Sequence, residues 1–178
     1  MKVKSEKDFI EIDVTKEMMD EAMERMRIAH AKHGDGGTYR LDKKNQKKTG
    51  YLAETAAKYA FPKLKYYENE LGESEKYDLI GKNNVTFDVK ACGCNTKPRV
   101  DYVGNVYTSQ KCLSDIFIFS RVKNDFTKVW ITGFIGRQEY QKESKIMKKG
   151  HDGANFQYEE PRYEMKYKDM FSPKLLLG

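Results

Sequence analysis

Two apolar runs in the second half of the chain restrict its possible folds more than any other feature. Asp115-Ile116-Phe117-Ile118-Phe119-Ser120 and Val129-Trp130-Ile131-Thr132-Gly133-Phe134-Ile135 carry almost no polar interruption. A strand open to water on one face alternates apolar and polar residues. A continuous run is expected of a strand covered on both faces. Lys123-Asn124-Asp125 supplies a turn between the two. Such a pair needs material on either side of its sheet, so a layered architecture is expected.

Helices that could form one layer precede the strands. After a short strand-like start at Phe9-Ile10-Glu11-Ile12, Thr15 is placed to cap a helix running to about His33. Met18, Ala22, Met26 and Ala29 recur at spacings of three and four, a single apolar stripe that reads as core. Gly34, Gly36 and Gly37 end this helix. A lysine-rich stretch, Leu41 to Thr49, reads as a polar loop. It leads into a second helix, Gly50 to Ala60, stopped by Pro62. The alanines at 53, 56, 57 and 60 let that helix lie close against a sheet.

The chemistry-bearing residues follow. Tyr77-Asp78-Leu79-Ile80 reads as a strand, Gly81-Lys82-Asn83-Asn84 as a hairpin turn, and Val85 to Ala91 as the return strand. In the return strand Val85, Phe87 and Val89 face one way, and Thr86, Asp88 and Lys90 the other. The hairpin sets Asp78 beside Asp88. Adjacent carboxylates repel, and a fold keeps them together mainly for a cation or a shared proton. Their oxygens suit a hard ion, Mg²⁺ with Mn²⁺ as substitute. Glu54, on the alanine-faced helix, can bring a third carboxylate to the same place. The plainer alternatives are a surface ion pair for Asp88 and Lys90, and an i,i+4 pair with Lys58 for Glu54.

Gly50-x-x-Ala53-Glu54 on a helix, Asp78 before a short hairpin, and Asp88-Val89-Lys90 on the return strand resemble, in order and spacing, the PD-(D/E)xK nuclease superfamily. The residue before Asp78 is Tyr77, where the family name has proline. The resemblance spans about Gly50 to Ile135. It implies a restriction-endonuclease-like α/β (α+β) core: a central mixed sheet of four to five strands flanked by helices. It also implies a metal-dependent DNA endonuclease of phage type, cutting phosphodiester bonds through Glu54, Asp78, Asp88 and Lys90. Asp78, Asp88, the backbone carbonyl of Val89 and Glu54 would hold Mg²⁺. Lys90 would sit beside the attacking water and offset charge developing on the phosphate. Gln110 would support the site, and Lys43, Lys44, Lys47 and Lys48 would contact DNA phosphates. Alternatives are a non-catalytic DNA-binding or structural protein retaining the fold, and a junction-resolving or exonucleolytic member.

Length and composition agree with one domain. The chain has 178 residues, with a core at about 50–135 and a polar, irregular extension at 136–178 that ends in an apolar Leu175-Leu176-Leu177 able to dock on the body. A net charge of +6 favours a polyanionic partner. No apolar run approaches the ~18 residues of a membrane span, and the N-terminus lacks a secretory pattern. A cytoplasmic protein with no membrane partner and no nucleotide cofactor is expected, and a homodimer is compatible with cutting two strands. Cys92, Cys94 and Cys112 are too few for an iron–sulfur cluster, and no histidine completes a zinc spacing with them. They are expected to be free thiols.

Overall fold

Thr15 begins the first helix as its sequence suggests: its hydroxyl accepts a hydrogen bond from the Met18 amide at 3.2 Å. This helix, α1 (Lys16–His33), is followed by α2 (Leu41–Ala60). The computed structural model describes residues 1–33, 41–67, 77–110, 112–150 and 158–178, with backbone alone at 32–33 and 41–44. Gly34, Gly36 and Gly37 lie outside the described residues. The lysine-rich stretch from Leu41 is helical, not a loop, so α2 starts well before Gly50. Lysine and glutamine favour helix about as well as leucine does. Polarity alone was a poor guide there.

The strands are β1 (Ile10–Asp13), β2 (Lys65–Tyr66), β3 (Leu79–Ile80), β4 (Thr86–Cys94), β5 (Val103–Tyr107), β6 (Ile116–Lys123), β7 (Lys128–Gly136), β8 (Lys145–Met147) and β9 (Arg162–Lys166). A third helix, α3 (Arg137–Glu143), follows β7. Six strands form a central mixed sheet in the order β1-β7-β6-β4-β3-β2, wider than the four to five expected. Only β4 and β6 run parallel; the other neighbours are antiparallel. Between β4 and β6 the chain leaves the sheet to make β5, which joins β9 and β8 in a second, three-stranded sheet. The fold is therefore mixed α+β, and no described helix is long and apolar enough to cross a membrane.

The central sheet is covered on both faces, as its apolar runs require. On one face α1 and α2 pack Met18, Ala22, Leu52, Ala53, Ala56 and Ala57 against Leu79, Phe87, Val89, Ile118, Val122 and Ile131. The small alanine side chains, each fully buried, let α2 lie close to the strands. On the other face Phe117, Phe119 and Ile135 meet Val106, Met165, Tyr167, Met170 and Tyr140 of α3. The segment after Gly136 is thus neither irregular nor peripheral: it supplies a helix, two strands and much of this second core. At its end Leu176 packs on the body, while Leu175 and Leu177 are exposed. Gly104 permits the close approach of β5, because a Cβ there would come within 2.4 Å of the Phe119 ring.

Candidate active site

The hairpin forms as its sequence predicts, with Leu79 opposite Phe87 and Ile80 opposite Thr86. Asn83 and Asn84 take positive φ in the 3₁₀ turn, a conformation asparagine tolerates. Strand β3 is only two residues long, so it pairs with no more than the start of β4. The Asp78 amide donates to Phe87 O at 3.0 Å. The next amide on that edge, Val89 N–H, donates to the Asp78 carboxylate, Oδ2, at 2.6 Å. Asp78 thus occupies the position where the partner strand runs out. In a strand the N–H and C=O of one residue face the same neighbour, so the carbonyl of Val89 faces this edge too.

Register with β6 sets the direction of the other side chains. Asp88 lies opposite Phe117 and Lys90 opposite Phe119, so both project from the face that carries the second sheet. They form an ion pair, Lys90 Nζ to Asp88 Oδ2 at 2.8 Å, with little exposure of either side chain. Glu54 reaches the area from α2 and pairs with Arg25 of α1 at 2.8 Å, not with Lys58, whose partner is Glu21. The Arg25 guanidinium is itself stacked 3.7 Å from the centroid of Tyr66. Burial holds the Asp78 carboxyl well above its ordinary pKa, and the negative charges of Glu54 and Asp88 push it further; the Val89 amide and the Lys90 ammonium act against this.

Three carboxylates from separate elements therefore act on one another, with Arg25 and Lys90 as the cations among them. Among the described residues, no three Asp, Glu, His or Cys side chains close on one point as a finished metal-binding group. Each carboxylate is held by a protein partner instead. The donor set is nonetheless all oxygen, and Asp78 is a buried acid crowded by like charge. That chemistry fits a hard divalent ion.

Beyond Val89, β4 borders a cleft of about 580 Å³, which Phe119 and Ser120 of β6 also line. Asn45, Gln46, Thr49 and Gly50 of α2 form one bank, and β5 with Gln110 and Arg162 forms the other. Val89 and Lys90 line it; Glu54, Asp78 and Asp88 do not. Lys90 thus joins the carboxylate group to the open space. Gln110 is exposed in the cleft wall, its carbonyl accepting from the Cys112 amide at 3.0 Å. Lys47 is exposed on α2, and Lys48 lies 4.0 Å from the Phe126 ring centroid. The side chains of Lys43 and Lys44 lie outside the described residues.

Two site residues carry no signal in the sequence. Arg25 looked like any charged residue on the polar side of a helix. Cys112 is a second case: its thiol interacts with both Asp88 and Lys90. Burial raises the Cys112 pKa; the Lys90 charge lowers it and the Asp88 charge raises it further. Cys92, Cys94 and Cys112 are all free. Compared with protein-family models and with curated proteins, the chain matches none.

Proposed function

We propose that this chain is a metal-dependent deoxyribonuclease with a restriction-endonuclease-like core, cutting phosphodiester bonds within DNA. The observation that carries this reading is that Glu54, Asp78 and Asp88, from a helix, a strand end and a longer strand, act on one another beside Lys90, which lines the cleft. Asp78, Asp88, the Val89 carbonyl and Glu54 would hold Mg²⁺, with Glu54 exchanging its contact with Arg25 for one to the ion. When bound, the ion supplies Lewis acidity toward phosphate oxygens and makes water a better nucleophile near neutral pH.

The protein's own groups divide the remaining work. Lys90 sits where the cleft meets the carboxylates, so its ammonium faces a phosphate lying in the cleft and offsets charge building on it. Asp88, ion-paired to Lys90, holds its ammonium in place. The Val89 amide orients Asp78. Arg25, fixed by Tyr66, limits the repulsion among three acids.

A second reading is a structural ion-pair network, favoured by the short Arg25–Glu54 and Lys90–Asp88 contacts. Supercoiled plasmid and single-stranded DNA incubated with Mg²⁺, Mn²⁺ or EDTA, beside Asp88→Ala, separate the two. Metal-dependent cutting lost in Asp88→Ala supports the nuclease. No cutting, together with no Mn²⁺ binding by calorimetry, leaves the structural network standing.

A further inference from the structure

The bank of the cleft opposite α2 has no role in the chemistry above, yet it carries an unusually placed arginine. Arg162, at the start of β9, lies directly across from Tyr107 of β5. Its guanidinium carbon is 4.7 Å from the Tyr107 ring centroid and 4.2 Å from that of Tyr158. Tyr158 is buried, its hydroxyl on the Glu164 carboxylate, so it forms a fixed backing. Tyr107 is 45% exposed. Among the described residues, Arg162 Nε, shielded from water, has no hydrogen-bond partner, and no carboxylate pairs with this guanidinium. A stacked arginine keeps its N–H edge for a planar or tetrahedral oxyanion, and desolvating one without a counter-charge is costly unless a ligand supplies it.

Tyr107 and Arg162 line the same cleft as Lys90 and Gln110. We infer that this wall binds an unpaired nucleic-acid strand, Arg162 taking a phosphate and Tyr107 stacking on a base. The inference rests on the nuclease reading and gives it a substrate class: single-stranded DNA, or the unpaired part of a branched or flapped one. Two observations favour an unpaired strand over plain duplex. A cleft of about 580 Å³ has the volume of a nucleotide-sized ligand and is too small to take in a double helix. An exposed aromatic face is useful to a base out of its stack and useless to one inside it.

The test is fluorescence anisotropy of the full chain with a labelled oligothymidine and with a blunt duplex of equal length. EDTA is present, so that binding is read without cleavage. The oligothymidine binds more tightly than the duplex. Tyr107→Ala weakens single-strand binding by about 5- to 100-fold and leaves its salt dependence unchanged, whereas Tyr107→Phe binds as the parent does. Arg162→Gln lowers the slope of log K against log salt by about 0.7, the share of one single-strand phosphate; Arg162→Lys keeps the slope. Unfolding midpoints identify any variant that fails to fold, and the exposed Tyr107 pair then decides alone. Equal binding by parent, Tyr107→Ala and Arg162→Gln overturns the inference, as does tighter binding of duplex or no binding of single strands. These outcomes leave the nuclease reading to the metal-dependent cutting assay. Conversely, strand binding that needs Tyr107 and Arg162, with neither cutting nor Mn²⁺ binding, would keep this wall and remove the enzyme.

Discussion

The two faces of the central sheet are built from the same strands but are different materials. Toward α1 and α2, β4 presents Phe87 and Val89, which join Ala53, Ala56, Ala57 and Ile118 in an apolar layer. Toward the second sheet, the alternate residues Asp88 and Lys90 pair with each other, and Cys92 lies beside Arg121 and Tyr167. Arg121 is bound there by neutral oxygens, Tyr167 Oη at 2.7 Å and Val103 O at 2.9 Å. Phe87 and Val89 of one strand secure the fold, and their neighbours Asp88 and Lys90 carry charge. This division makes the two faces separable by substitution, because a change on one face need not disturb the other.

The strongest way to break the comparison is at Lys90 and Asp88. Each, changed to Ala, is expected to lower metal-dependent cleavage per folded molecule by about 10²- to 10³-fold. The unfolding midpoint should fall as well, because the little-exposed partner of the ion pair is left without its counter-charge. Full activity in either variant would show that the polar face is not the site. On the apolar face the opposite pattern is expected. Leu52→Ala removes a fully buried side chain between α2 and the sheet, and denaturant unfolding should show a loss of about 2–5 kcal/mol. Residual activity per folded molecule should change far less.

A smaller effect is expected where the second sheet touches the first. A Cβ at Gly104 would meet the Phe119 ring at 2.4–2.8 Å, so Gly104→Ala must displace either β5 or the ring. Overpacking of this kind costs about 1–3 kcal/mol. Because β5 also forms a bank of the cleft, the displacement should weaken single-strand binding as well as stability. Loss of stability alone would mean that the ring yields and the strand stays.

The two faces also differ in how much of them could be read beforehand. The helix-facing layer was legible because its signals are local: alanines at helical spacing, a hairpin turn rich in asparagine, apolar alternation from Val85 to Val89. The grouping of Asp78, Asp88 and Lys90 came from the same hairpin, which is why three of the four central residues could be placed. The second face depends on contacts distant in the chain. Strand β5 pairs with β9 some sixty residues on, Val103 with Lys166 through Tyr107 with Arg162, and neither strand is apolar enough to announce itself. Arg25 reaches Glu54 only because α1 and α2 pack side by side. The helical start of α2 was hidden for a different reason, since a lysine-rich polar segment looks alike as a loop and as an exposed helix turn.

The finest test concerns Asp78, which sits at the boundary between the two faces. Its pKa is raised in the folded protein, first by burial and then by Glu54 and Asp88. A carboxyl shifted upward supports the fold fully below its unfolded pKa of about 3.9, and this support is lost as pH rises through the folded value. Other carboxylates work in the opposite sense: Asp115, for example, is lowered by its bonds from the Thr86 amide and hydroxyl. A single pH curve would therefore mix the signs, and the difference between two proteins separates them. Asp78→Asn keeps an oxygen for the Val89 amide but cannot ionise. In EDTA, its midpoint should rise relative to the parent as pH goes from about 4 to about 8. Adding Mn²⁺ near neutral pH should reverse the order, because a ligand bound only by the folded parent raises its stability by mass action. A gap that ignores both pH and Mn²⁺ would make Asp78 a simple cap on an unpaired strand edge, and would place the charged face with the apolar one as structure alone.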